Sequence, residues 1–91
     1  MLYVIHCFDK ADHLQVRMDN RPAHVEFLQS YGDKLFAAGP TLDADGNMNG
    51  SVVILDLESA EEAASFASSD PYANAGLFEH VVIQPWKKVL P

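Results

Sequence analysis

The chain has one cysteine, one tryptophan and only six basic residues among its 91. The lone Cys7 excludes an internal disulfide, and its place in an apolar run reads as a small buried hydrophobe. No apolar run approaches the roughly 20 residues needed to span a bilayer, and the start lacks the basic region and cleavage site of a signal peptide. Cytoplasmic residence is the resulting expectation. Six Lys and Arg stand against thirteen Asp and Glu, for a formal charge of −7. Such an exterior repels phosphate backbones and anionic lipid, so neither nucleic acid nor membrane is an expected partner. No Lys or Arg lies between Lys34 and Lys87, whereas eight acids do. A small anion, if bound, is expected near Arg17 and Arg21.

Recognised metal and nucleotide motifs are missing as well. His6, His13, His24 and His80 include no pair at zinc-motif spacing, and neither a Gly-x-Gly-x-x-Gly nor a P-loop pattern occurs. Neither a metal nor a cofactor is expected. The Asp43-Ala44-Asp45-Gly46-Asn47 stretch superficially suggests a calcium loop, but an EF-hand needs glycine sixth and glutamate twelfth, where Met48 and Ile54 stand. A hairpin loop is the better reading.

What is present is a globular composition, 48% hydrophobic and 21% charged, in a length that supports one core. A single domain over residues 1–91 is expected. Leu2 to Phe8 reads as a first strand, ended by Asp9-Lys10. Asp12 to Met18 reads as a short helix. Asp19-Asn20-Arg21-Pro22 then predicts a break and a second helix, because proline is best tolerated in a first turn. In that second helix His24, Phe27, Leu28 and Tyr31 share one stripe, and Gly32 stops it. Leu35 to Leu42 is the second strand, with Gly39-Pro40 pointing to an edge position or a bulge. Asp43 to Gly50 is a turn and Ser51 to Leu57 a third strand. Ser59 and Glu62 form a capping box for a helix with Ala60, Ala63, Ala64 and Ala67 on one face. Asp70-Pro71 starts one further turn closed by Gly76, and about Glu79 to Trp86 is the last strand. The order is βαββαβ, the split arrangement of ferredoxin-like α+β folds with a four-stranded antiparallel sheet.

Both faces of these strands are apolar: Tyr3, Ile5 and Cys7 point one way, Leu2, Val4 and Phe8 the other. Val53, Leu55 and Leu57 likewise oppose Val52 and Ile54. Two helices cover one face only, so a second copy is expected on the other, as a face-to-face homodimer.

Arg17, Arg21-Pro22-Ala23-His24, Ala38-Gly39-Pro40, Asp70-Pro71-Tyr72, Gly76, Glu79-His80 and Pro85-Trp86-Lys87-Lys88, with the opening Met1-Leu2-Tyr3-Val4-Ile5, follow in an order that resembles the YciI-like (YCII-related) family over essentially the whole chain. The resemblance implies a dimeric α/β barrel, a superfamily that includes small isomerases and monooxygenases. It also implies a His and Asp pair as active site, falling on His24 and Asp70, with Ser51 at a hydroxyl position beside them. The loop before Ser51 is short next to relatives with a longer glycine-rich insertion.

The residues themselves allow two readings. His24 is either a base, since both imidazole protonation states exist near neutral pH, or a core histidine bonded to main chain. Asp70 caps the turn at Pro71 and has a second oxygen left to orient an imidazole. Arg17 is either solvated surface charge or a fork of donors for a carboxylate or enolate. Ser51 either starts a strand or donates to an oxyanion. Tyr72 and Trp86 are packing aromatics, with Tyr72 a candidate for binding substrate. The leading expectation is a cofactor-independent enzyme of isomerase or lyase type acting on an enolisable or hydroxylated aromatic substrate. The alternative is a non-catalytic dimer that binds a metabolite or a protein. The two separate on whether the His24 ring sits within about 2.6–3.2 Å of Asp70 and borders an open cavity.

Overall fold

The computed structural model describes all 91 residues. Four strands, β1 (Leu2–Asp9), β2 (Leu35–Leu42), β3 (Met48–Asp56) and β4 (Phe78–Trp86), form one antiparallel sheet in the order β2-β3-β1-β4. Helix α1 (Leu14–Gln29) joins β1 to β2, and α2 (Ala60–Ser69) with the single turn α3 (Pro71–Asn74) joins β3 to β4. This is the ferredoxin-like α+β arrangement. No helix is long and apolar enough to cross a membrane.

The period-2 pattern decides the layers. Tyr3, Ile5 and Cys7 of β1 are buried with Val53 and Leu55 of β3 and with Leu57 just beyond it. Leu28 of α1 and Ala63 and Phe66 of α2 close over them. Of the expected stripe, His24 and Leu28 are buried and Phe27 packs at the margin of the core; Tyr31 packs there too, but from beyond the helix, which ends at Gln29 before Gly32.

Three expectations are corrected. First, there is no break before Pro22: α1 runs continuously from Leu14 to Gln29 with Pro22 inside it. Proline removes one ladder amide, but packing of the stripe from Arg17 to Leu28 holds the helix together, and Asn20 donates back to the Val16 carbonyl at 2.8 Å instead of capping a new start. Second, β3 begins at Met48, not Ser51, because Met48 and Gly50 pair with Leu42 and Thr41. The connecting loop is correspondingly tight: Asp43 Oδ1 accepts from the amides of Asp45 and Asn47, both at 2.9 Å, with Gly46 at φ +83°. Third, the buried face of α2 is Ala63, Phe66 and Ala67, while Ala60 and Ala64 are exposed. The large ring sets the helix rotation, since Phe66 lies 5.1 Å from Phe27 and 5.0 Å from Tyr31. Ser59 does cap α2, accepting from the Glu62 amide at 3.2 Å, whereas Glu62 returns its bond to the Glu58 amide.

The edge reading of Gly39-Pro40 is met, for β2 is an edge strand and its pairing with β3 shifts register at both ends. Gly50 has no room for a side chain. A Cβ there would run into the Cys7 carbonyl and lie 2.6 Å from Thr41 Oγ1, whereas one on Gly39 meets nothing within 4 Å. Gly50→Ala is therefore expected to cost about 1–3 kcal/mol of unfolding free energy in a urea titration, with Gly39→Ala near neutral. Equal midpoints for the two variants would show that the strands part without strain.

Candidate functional site

One side of α1, the inner face of the sheet and α3 meet around a group of polar side chains that the apolar core does not explain. Asp70 ends α2 in extended conformation (φ −61°, ψ 130°) and caps α3, its Oδ1 accepting from the Tyr72 amide at 2.9 Å. The same carboxylate lies 3.0 and 3.1 Å from Nδ1 of His24, 46 positions earlier in the chain. An ionised carboxylate only accepts, so Nδ1 carries a proton and, in the neutral ring, Nε2 holds the lone pair. Nε2 has no protein partner. Every fully buried side-chain nitrogen or oxygen does have one, so Nε2 is reached from the adjoining cavity.

The His24 ring stacks on Tyr72, with centroids 3.9 Å apart and planes at 15°. Over the Tyr72 ring, at 4.6 Å, lies the guanidinium of Arg17, which is only 2% exposed. Arg17 reaches this position because the unbroken α1 places it two turns before His24 on the same stripe. Its Nε donates to Asp9 Oδ2 at 2.7 Å and its Nη2 to Asp9 Oδ1 at 2.9 Å and to Ser51 Oγ at 2.9 Å. Burial alone would lower the Arg17 pKa, but the hydrogen bonds and charge of Asp9 outweigh it and hold the pKa above its ordinary value. Burial raises the Tyr72 pKa, an effect only partly offset by the charges of Arg17 and Arg21.

Asp9 is the residue that sequence reasoning missed, having been read as the polar end of a strand. It has the same parity as Tyr3, Ile5 and Cys7, so it faces the helices, and an acid facing a core calls for a cationic partner. Cys7 lies beneath the network and stays a thiol. Burial, with a further push from Asp70, drives its pKa up to about 12.

His24, Arg17, Ser51 and Tyr72 border one cavity of about 470 Å³, counting its open mouth. Ala38, Gly39, Pro40 and Met48, from the β2–β3 hairpin, form the opposite wall. Its interior space is about 130 Å³, below the roughly 300–1,000 Å³ of drug-sized-ligand sites and close to the roughly 150 Å³ that takes up one benzene ring. All five site residues expected from the sequence, His24, Asp70, Arg17, Ser51 and Tyr72, are thus gathered in one place. The wider groove on the outer side of α1, along Met18, Pro22 and Gln29, carries none of them.

Because Asp9 and Arg17 satisfy each other out of water, removing either one leaves a buried charge. Asp9→Ala should lower the unfolding free energy by about 3–5 kcal/mol, and the apolar pair Asp9→Leu with Arg17→Met should recover most of the loss. A loss under about 1 kcal/mol for the single variant, read by chemical denaturation, would mean that the pair is solvated.

Comparison with known proteins agrees with this architecture. The model of the YCII-related domain matches residues 1–87. Protein YciI of Escherichia coli O6:H1 is 46% identical over 98% of this chain and 99% of its own length. A Haemophilus influenzae protein is 33% identical over the same shares. Among solved structures, the 5-chloro-2-hydroxyhydroquinone dehydrochlorinase TftG of Burkholderia phenoliruptrix, in complex with 2,5-dihydroxybenzoquinone, superposes with a TM-score of 0.91 at 40% identity, covering 96% of this chain and 94% of that one. SnoaB, a cofactor-independent oxygenase from Streptomyces nogalater, shares the fold, with a TM-score of 0.63 at 10% identity over 99% and 96% of the two chains. The chain belongs to the YCII-related domain family.

Proposed function

We propose that the protein is a cofactor-independent enzyme in which His24, oriented by Asp70, moves a proton on an enolisable or hydroxylated aromatic substrate. The observation that carries the reading is the His24 ring itself: one nitrogen is held 3.0 Å from a buried carboxylate and the other is unpartnered at a cavity. The 40% identity to a dehydrochlorinase of a hydroxylated aromatic supports the substrate class.

In this mechanism Nε2 takes a proton from a ring hydroxyl or an acidic C–H, and the electron pair left behind moves into the ring. The imidazolium so formed faces the Asp70 carboxylate, which stabilises it without taking the proton. In isomerisation Nε2 returns the proton to another atom of the same molecule. In elimination the electron pair expels a leaving group. Ser51, whose oxygen already accepts from Arg17, has its hydroxyl hydrogen free for a developing oxyanion. Arg17 adds positive charge behind it, and Tyr72 backs the His24 ring against the cavity.

His24→Ala is expected to lower kcat for chloride release from 5-chloro-2-hydroxyhydroquinone by about 10²–10⁴-fold. Asp70→Asn should also fall, while keeping its fold, because asparagine caps α3 as well as aspartate does but has no charge to set against an imidazolium. Turnover that survives His24→Ala unchanged rules the base out.

The same reading includes a twofold dimer formed through the sheet face that the helices leave open, and a place in the cytoplasm, where a buried lone thiol needs no oxidising surroundings. Phe36, Val82 and Trp86 are exposed large apolar residues on β2 and β4, and Leu2, Val4, His6 and Phe8 of β1 lie between those strands only half-buried. Light scattering should give twice the 10.0 kDa chain mass, and Val82→Glu should return it to 10.0 kDa. A wild-type chain that stays monomeric at micromolar concentration contradicts this part.

A further inference from the structure

In a chain with thirteen acids and six bases, the residues that line the cavity include two arginines, Arg17 and Arg21, one histidine and no acid at all. The two acids nearest the site, Asp9 and Asp70, sit behind Arg17 and His24 and are bonded to them. The cavity is therefore a positive opening in a negative surface, and such a field concentrates anions.

The two arginines are not equivalent. Arg17 is buried, and its donors are directed at Asp9 and Ser51. Arg21 lies one turn further along α1, three residues before His24, and is exposed at the mouth of the cavity. It forms neither a salt bridge nor a side-chain hydrogen bond within the chain: Asp19, on the same turn, is held by Gln15 at 2.7 Å. The facing wall of Ala38, Gly39, Pro40 and Met48 has no side-chain oxygen to receive its guanidinium. An unpaired fork of donors above an apolar slot suits a planar molecule that carries a carboxylate, or an ionised ring oxygen, at the end away from the base.

We propose that Arg21 is the substrate anchor of this site and that the ligand is an aromatic anion whose charged end meets Arg21 at the mouth while its ring lies between His24 and the hairpin wall. This deepens the reading of a His24-based enzyme and rests on it for the identity of the pocket, but the anchor acts in binding alone. Arg17 is then a positioning residue that holds Ser51 and Tyr72 in place.

The test uses a matched pair of probes, 2-hydroxybenzoate and 2-hydroxybenzyl alcohol, which differ in charge and little in shape. Each is titrated into the full chain and followed by the NMR shifts of the Arg21 side-chain N–H and of the Gly39 and Ser51 amides. The carboxylate is expected to bind at least about tenfold tighter than the alcohol, the worth of one charge-assisted contact, and added salt should narrow the gap. Arg21→Gln should abolish the preference and Arg21→Lys should keep part of it. Equal binding of the two probes, no binding by either, or a preference that persists in Arg21→Gln overturns the proposal. No turnover is read, so a failed anchor and a failed base are told apart.

Discussion

Asp70 is the residue on which the arrangement depends. Its backbone turns the chain out of α2, one oxygen caps α3, and the carboxylate holds an imidazole from the other half of the sequence. Capping alone is worth about 0.5–2 kcal/mol, and any N-cap residue type would supply it. Joining that cap to His24 makes the position of α3 and the orientation of the ring a single constraint. Tyr72, second residue of α3, is thereby placed flat against the His24 ring.

From there the network extends through stacked planes instead of a chain of hydrogen bonds. Arg17 lies over Tyr72, Asp9 fixes Arg17 with two bonds, and Ser51 receives a third. Two acids, an arginine and a histidine are withdrawn from water within a core that is otherwise hydrophobic. Such a network is tolerable only when it is complete, because each orphaned member would cost several kcal/mol. It is complete: no buried side-chain nitrogen or oxygen is left without a partner. Apolar residues of the same volume often stabilise a core as well as a buried ion pair does, so stability alone does not account for the polar group.

The two faces of the sheet divide the work. The inner face, through Tyr3, Ile5, Cys7, Val53 and Leu55, carries the core, and at its β2 end the hairpin walls the cavity. The outer face has no network of this kind: Leu2, Val4, Val52, Ile54 and Val82 lie on it beside Gln84 and the rings of His6 and His80 packed on Phe8. Strands that are apolar on both sides serve folding on one and, in the reading proposed above, association on the other.

Much of this was legible in the sequence because it rests on local chemistry. Short apolar runs rich in Val, Ile and aromatics mark the strands, Gly39-Pro40 marks an edge, Ser59 and Asp70 mark caps, and the His24-Phe27-Leu28 spacing marks the inward stripe of α1. The continuity of α1 through Pro22 was not legible, since proline's local preference argues for a break and only packing against the sheet overrides it. The hidden face of α2 depends on where Phe66 finds room between Phe27 and Tyr31, which no window of ten residues contains. Asp9 and Arg21 mark a further limit: the parity of Asp9 with Cys7 turns it toward the helices, but which cation it meets, and that Arg21 meets no acid, depend on contacts that no local window contains. By itself the sequence determined the elements, their order and the residue types available for chemistry, because these follow from propensity and spacing. Tertiary structure alone decided which acid met which base and which guanidinium stayed unpaired, because the partners are brought together across the sheet from positions 8 to 46 residues apart.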